Sequence, residues 1–115
     1  MAVCDIMSTK LITVGKNETV AAMNKLFHQH PIHHLLVVDD GNLLGLVSDR
    51  DMLRTLSPFA NTKVASKKDK FTLTRKAHQI MASKLVTIAP SAHIQDAARM
   101  LVEHNISLLP VVQEE

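Results

Sequence analysis

The sequence predicts a mixed α/β (α+β) fold that contains two copies of one strand-helix-strand arrangement. Short β-branched runs alternate along the chain with stretches whose apolar residues recur at helical spacing. Residues 6–38 are repeated at residues 80–112 without a gap. A hydrophobic run at residues 43–47 leads directly into another amphipathic stretch, with a small polar cluster at the joint.

Composition fits one compact domain of 115 residues, with 46% hydrophobic and 21% charged residues. The sequence contains no run of eighteen apolar residues, so it predicts no membrane span. It has no basic region followed by an apolar core, so it predicts no secretory signal. The single cysteine, Cys4, has no partner for an internal disulfide, which fits a cytoplasmic protein. A net charge of +2 and only three Phe, without Trp or Tyr, argue against nucleic-acid binding.

The first elements are a strand and a helix. Residues 11–14 are β-branched and end at Gly15, which predicts a strand. Asn17 is expected to cap the helix that follows, and this helix should end before Pro31. Its predicted apolar stripe consists of Val20, Met23, Leu26 and Phe27.

A hairpin and a second helix follow. Residues 35–38 and 43–47 read as strands, and the Asp-Asp-Gly-Asn turn at 39–42 joins them. Met52, Leu53 and Leu56 then recur at helical spacing, which gives the order β-α-β-β-α. Residues 59–76 hold six of the thirteen basic residues and predict a solvated linker with one helical turn, although RNA or DNA binding by this stretch is an open alternative.

The repeat has ten identities in the 33 positions from 6 to 38, where chance would give about two. It also aligns Asn17 with Ser91, the expected cap of the second copy's helix. Residues 1–58 are therefore the first repeat, 59–76 the linker and 77–115 the second repeat. The second copy has no counterpart of residues 45–51, so its C-terminal end is expected to be incomplete, with a sheet edge that further chain or a partner subunit would cover.

The joint at residues 45–51 supports two interpretations. Ser48 at the N-cap and Asp51 three residues later form a capping-box pattern, in which both side chains only satisfy the helix start. Alternatively, unpaired N–H groups of a helix start attract phosphate, and a carboxylate can accept hydrogen bonds from sugar hydroxyls.

Several stretches in each copy resemble those of the CBS (cystathionine-β-synthase) domain family. The first copy matches through DIMSTKLITV, NETVAAM and HHLLVVDDGNLLGLVSDRD, and the second through HQIMASKLVTI, SAHIQDAARML and NISLLPVV. The resemblance implies a Bateman module, in which two β-α-β-β-α units pack through their sheets with pseudo-twofold symmetry. Such modules bind adenosine-containing ligands in clefts between the repeats and often form dimers.

The resemblance also implies a ligand site. Asp51 would hold the ribose hydroxyls, Ser48 would lie near the phosphate, and Leu46 would form a wall of the base pocket. The full expected set is Gly45, Leu46, Ser48, Arg50, Asp51, Lys84, Thr87, Ile88, Leu109, Pro110 and Val111. A symmetry-related cleft would use Thr13, Val14, His34, Leu36 and Val37, but its serine and aspartate have no counterpart in the second copy.

Other chemistry is less well supported. His28, His30, His33 and His34 lie within seven residues, but no Cys, Asp or Glu completes a recognisable metal-ligand spacing, so no metal is expected. Cys4 has no group beside it that would activate a nucleophile. The resemblance to CBS pairs leads us to expect a non-catalytic regulatory module that requires no cofactor, binds AMP, ADP, ATP, NAD or S-adenosylmethionine, forms a homodimer and signals to a regulated protein. The alternative is a ligand-free dimerisation or protein-interaction module.

Overall fold

The computed structural model describes residues 1–55 and 72–113. It contains two compact units: a large unit, Leu11–Lys84, and a small unit, which joins Met1–Lys10 to Leu85–Glu115. Most of the predicted linker, together with Leu56, lies outside the described residues. Its last part is described, and Thr72–Thr74 form one turn of 3-10 helix.

The large unit holds a three-stranded sheet in the order β1-β2-β3. Its strands are β1 (Thr13–Gly15), β2 (His34–Asp39) and β3 (Asn42–Ser48). Strands β1 and β2 are parallel and β2 and β3 antiparallel. The three predicted strands are therefore confirmed. Strand β1 begins two residues later than predicted, whereas β2 and β3 each extend one residue further at both ends.

The predicted hairpin turn is also confirmed. Asp39 pairs with Asn42, and the two residues between them, Asp40 and Gly41, have φ angles of 53° and 79°. Positive φ at both central positions is typical of a type I′ turn, whose twist matches that of the two strands. Asp and Gly tolerate this conformation better than most residues, so the local sequence determines where the chain reverses.

Helix α1 (Val20–Gln29) lies where the apolar stripe predicts it. Val20 and Met23 are fully buried, and Leu26 and Phe27 pack against the core. The prediction that Asn17 caps this helix is wrong. Thr19 is the N-cap, because its Oγ1 accepts a hydrogen bond from the backbone N–H of Ala22 at 3.2 Å.

Two shorter helices complete the large unit, α2 (Asp49–Thr55) and α3 (Ala77–Ile80). Met52 of α2 and Ala77 of α3 enter the core, whereas Leu53 is 78% exposed, so the predicted apolar face of α2 is wrong at that position. The core contains apolar side chains from the sheet and all three helices. Its buried members are Val14, Val20, Met23, Leu35, Val37, Val47, Met52 and Ala77.

The small unit contains a 3-10 turn at Val3–Asp5 and helix α4 (Ile94–Glu103). Its two expected strands appear only as an isolated parallel bridge between Ile88 and Val111, so the described part of the second repeat has the expected strand pairing at one position without a named strand. No third strand among residues 1–55 and 72–113 extends this ladder. Ser91 is not the cap of α4; His93 is, because its Nδ1 accepts from the N–H of Gln95 at 3.2 Å.

The two repeats have equivalent local structure at the 74-residue spacing. Helix α4 begins and ends at the positions that correspond to the ends of α1. The Ile88–Val111 bridge corresponds to the Val14–Val37 pair of β1 and β2. The structure therefore retains the duplication that the sequence predicts.

Each unit takes its short N-terminal helical segment from the other repeat. In the large unit, the N–H of Ala77 donates to the carbonyl of Glu18 at 2.8 Å. In the small unit, the N–H of Val3 donates to the carbonyl of Ala92, also at 2.8 Å. These are corresponding pairs of the duplication, so the exchange is reciprocal, and the compact units do not coincide with the repeats.

Candidate functional site

The polar joint between β3 and α2 is a closed capping box. The backbone N–H of Asp51 donates to Oγ of Ser48 at 3.0 Å, and the backbone N–H of Ser48 donates to Oδ2 of Asp51 at 2.9 Å. Both side chains are half-buried. The capping interpretation of Ser-x-x-Asp is therefore confirmed.

The capping role leaves part of Asp51 available. Only Oδ2 of its carboxylate accepts a hydrogen bond, and Oδ1 has no hydrogen-bond partner within the described part of the chain. An ionised carboxylate has about four acceptor positions, so one capping bond does not saturate it. The free oxygen can accept hydrogen bonds from a vicinal diol while the helix start remains intact.

Gly45 and Leu46 lie in β3 against the segment that follows α3. A Cβ atom on Gly45 would lie 2.6 Å from Sδ of Met81 and 2.8 Å from the carbonyl oxygen of Ala82. The N–H and C=O of Leu46 both bond to the backbone of Ala82, at 3.0 and 2.9 Å. The glycine of this motif is thus required by close backbone approach in the large unit.

The two expected basic groups are both in the large unit. Arg50 lies in the first turn of α2 and is exposed. Lys84 is exposed at the end of the unit. Neither forms an ion pair with a described acidic residue, so both charges are available to solvent or to an anion.

The small unit brings together the expected site residues of the second repeat. The N–H of Ile88 donates to the carbonyl of Pro110 at 3.0 Å, and Ile88 and Pro110 are buried. Leu109 and Val111 are half-buried, whereas Thr87 is exposed. An open cavity of about 460 Å³ lies beside the bridge. Its lining consists of Thr87, Ile88, Ala89, Pro90, Ser91, Val112 and Gln113.

The residues expected in a second cleft lie on β1 and β2 of the large unit. Val14 and Val37 belong to the core, with 6% and 0% exposure, so their side chains are occupied by packing. Thr13 pairs with Leu36 across the two strands, and His34 begins β2. His34 and Leu36 are half-buried and Thr13 is exposed. Of these five residues, only Thr13, His34 and Leu36 have side chains that a ligand at this position could contact.

Comparison with known proteins identifies the family. A protein-family model described as CBS domain matches residues 3–58 and 77–115. The chain belongs to the CBS domain family. The CBS domain-containing protein YhcV of Bacillus subtilis is 32% identical over 98% of this CBS chain and 74% of its own length. The predicted recognition of a CBS domain pair is thus confirmed, and the chain has the mixed α/β CBS-pair fold.

Two solved CBS structures carry adenosine compounds. The structure of CBSX2 in complex with AMP is 29% identical and has a TM-score of 0.78, over 97% of this chain and 82% of that one. The CBS domain pair of MJ0100, in complex with 5′-methylthioadenosine and S-adenosyl-L-methionine, is 25% identical with a TM-score of 0.75, over 99% of this chain and 82% of that one. Adenosine compounds are therefore known ligands of relatives.

One feature of this CBS pair was missed by the sequence analysis. His33 Nδ1 lies 2.9 Å from Oδ2 of Asp49, sixteen residues away, and this hydrogen bond lowers the pKa of Asp49. The pair borders an open groove of about 450 Å³ between the end of α1 and the start of α2. The predicted hairpin places the start of β2 beside the end of β3. This proximity is the feature of the sequence from which a contact between His33 and Asp49 could have been predicted.

The same groove accounts for most of the histidine cluster. His28, His30 and His33 line it, together with the apolar side chains of Phe27 and Met52. No group of three or more His, Cys, Asp or Glu residues in the described ranges is placed to hold a metal ion.

No helix in those ranges has both the length and the apolar character that crossing a bilayer requires.

Proposed function

We propose that this CBS pair is a non-catalytic regulatory module that binds an adenosine-containing ligand. The compounds to consider are AMP, ADP, ATP, NAD and S-adenosylmethionine. The observation that carries the proposal is Asp51, whose Oδ1 is unpaired in the described chain while its Oδ2 is held by the Ser48 N–H. A carboxylate fixed in this way is suited to two adjacent ribose hydroxyls, because its orientation is set before the ligand binds.

Family membership supports the ligand class. Relatives of 25% and 29% identity are solved with S-adenosyl-L-methionine and AMP, which share an adenosine group. The remaining ligand contacts of the large unit are part of the proposal: Ser48 and Lys84 toward phosphate, and Leu46 toward the base.

Regulation would follow from a difference in ligand affinity between two arrangements of the module. A ligand shifts such an equilibrium only by as much as its affinities for the two arrangements differ. We propose a homodimer as the unit that changes arrangement and a regulated protein that senses the change. No redox or group-transfer cofactor is needed for this role.

A thermal-shift series with the five compounds tests the proposal. A true ligand at a hundredfold excess over its dissociation constant should add about 2.7 kcal/mol to the free energy of unfolding. Asp51→Asn should abolish the shift, because the amide presents an NH₂ group and no charge to the ribose. The matched control is Asp96→Asn on the exposed face of α4, which should leave the shift unchanged.

Two results would overturn the proposed site. One is that none of the five compounds raises the unfolding temperature at millimolar concentration. The other is a shift of the same size in Asp51→Asn, which would place the ligand elsewhere on the module.

A ligand-free dimerisation or protein-interaction module is the second candidate. The observation that favours it is the groove beside α2, where Leu53 is 78% exposed next to Phe27 and Met52. Exposed apolar side chains beside a groove are typical of protein-binding surfaces. Sedimentation velocity would then show a concentration-dependent dimer that Leu53→Lys weakens, with an unfolding temperature that ignores nucleotides.

A further inference from the structure

The groove between the end of α1 and the start of α2 lies wholly within the large unit. It holds about 450 Å³, which falls in the range of about 300 to 1,000 Å³ that small-molecule pockets occupy. None of its lining residues belongs to the expected adenosine site. A ligand in this groove would therefore contact none of the residues proposed to hold an adenosine compound.

The inner surface of the groove is apolar and is held by the core. Met52 is 3% exposed and is a core residue, and Phe27 and Ile32 are half-buried and pack against that core. Pro31 and the exposed side chain of Leu53 extend this apolar surface outward. The groove thus offers preformed apolar surface, against which the apolar part of a ligand would be removed from water.

Three imidazoles border this apolar surface. His28, His30 and His33 line the groove, and all three are exposed. The side chains of His28 and His30 form no hydrogen bond or ion pair with any residue in 1–55 or 72–113. Their ring nitrogens are therefore available to a ligand, whereas Nδ1 of His33 is bonded to Asp49.

The titratable groups of the lining leave it with positive charge when its histidines are protonated. Asp49 is the one acidic residue among the described lining residues, and the hydrogen bond from His33 lowers the pKa of its carboxyl. The ionised Asp49 and a protonated His33 compensate each other. His28 and His30 are the other titratable residues of this lining, and they have no acidic partner there.

From the apolar surface, the two free imidazoles and this charge balance we infer that the groove binds a small organic carboxylate with an apolar body. The apolar body would contact Phe27, Ile32 and Met52. The carboxylate would accept hydrogen bonds from His28 and His30. This site goes beyond the proposed function and does not depend on it.

The affinity for such a ligand should rise as the pH falls. Histidine is the side chain that ordinarily changes its charge between about pH 5 and pH 8. An alkyl carboxylate titrates near the glutamate value of about 4.3, so it stays ionised over most of that range. Protonation of His28 and His30 would turn neutral hydrogen bonds to the ligand into charge-assisted ones, which are stronger.

The test is an NMR titration of the full chain with 3-phenylpropionate, followed at the methyl groups of Ile32 and Met52. We expect saturable shifts at millimolar probe, with a dissociation constant about fivefold lower at about pH 5.5 than at about pH 7.5. The control compound is 3-phenylpropanamide, which has the same apolar body and no charge. Its affinity should be equal at the two pH values.

A double variant tests the two imidazoles. His28→Gln combined with His30→Gln should reduce the fivefold ratio to less than about twofold, because glutamine keeps a donor but does not titrate. The matched control is His78→Gln, since His78 is exposed on α3 and does not line the groove. This control should keep the fivefold ratio, and the unfolding temperatures show whether both proteins are folded.

Four results would overturn the inference. No shift at Ile32 or Met52 with millimolar 3-phenylpropionate would show that the groove does not accept such an acid. A fivefold ratio that persists in the double variant would show that these imidazoles do not hold the carboxylate. Shifts confined to Leu46 would place the probe at the proposed adenosine site. A concentration-dependent dimer that shifts the Ile32 and Met52 methyl groups without the probe would identify a second copy as the occupant.

Discussion

Ser48 and Asp51 hold each other through reciprocal hydrogen bonds of 3.0 and 2.9 Å, each from the backbone N–H of one residue to the side chain of the other. The same two residues fix the end of β3 and the start of α2. Because Asp51 is oriented by the cap, any ligand contact that it makes is coupled to the integrity of the helix start. Stability and binding must therefore be measured together at this joint.

The cap predicts a loss of stability when either side chain is removed. Ser48→Ala should lower the free energy of unfolding by about 1 kcal/mol, because the N–H of Asp51 loses its acceptor. Ser91→Ala is the matched control; Ser91 is exposed and does not cap α4, so its loss should be within about 0.5 kcal/mol. Urea denaturation of both variants measures the difference, and equal losses would contradict a structural role for the cap.

Gly45 and Gly15 offer a matched pair of glycine substitutions. Gly45→Ala should destabilise by about 1 to 3 kcal/mol, because the new Cβ would lie 2.8 Å from the carbonyl of Ala82, which is backbone and cannot swing away. Gly15 has nothing within 4 Å of its Cβ position and does not have positive φ. Gly15→Ala should therefore be neutral or stabilise by up to about 1 kcal/mol.

The thermal unfolding temperatures of Gly45→Ala and Gly15→Ala measure this difference in stability. A Gly45→Ala protein as stable as Gly15→Ala would show that β3 does not approach Ala82 as closely as the structure indicates. Adding Met81→Ala to Gly45→Ala should recover only part of the stability, since the carbonyl clash remains.

The N-cap of α1 gives a third prediction. Thr19→Ala should cost about 1 kcal/mol, because Oγ1 accepts the hydrogen bond from Ala22. Asn17→Ala should change the free energy of unfolding by less than about 0.5 kcal/mol, since Asn17 is exposed and forms no cap. Urea midpoints decide between the two caps, and a larger loss in Asn17→Ala would restore the cap expected from the sequence.

The features that the sequence predicted correctly are those set by local chemistry. The turn at Asp40 and Gly41 needs residues that accept positive φ, and the stripe from Val20 to Phe27 needs only helical spacing. The cap position was harder to predict, because Asn and Thr are both good N-cap residues and lie two positions apart. The choice depends on which side chain reaches a free N–H in the first turn, here that of Ala22, and spacing alone does not show it.

Long-range arrangements could not be predicted. Nothing in the sequence shows that Ala77 bonds to Glu18 while Val3 bonds to Ala92, because the duplication allows each segment to pack on either repeat. In the candidate site, the capping pair Ser48 and Asp51 could be predicted from the sequence, because its pattern is contained in four residues. The burial of Val14 and Val37 was not foreseen, since a family pattern marks positions without showing which way side chains point.

The His33–Asp49 pair predicts how Asp49 titrates. The His33 hydrogen bond is the main cause that lowers the pKa of Asp49, and the charge of His33 and the N–H of Arg50 lower it further. Because the folded-state pKa is below the unfolded one, the pair's contribution is present at neutral pH and is lost as the pH falls through the lowered pKa. His33→Gln should raise the pKa of Asp49, as followed by its carboxyl ¹³C shift, whereas His30→Gln should not. An unchanged pKa in His33→Gln would contradict the 2.9 Å bond.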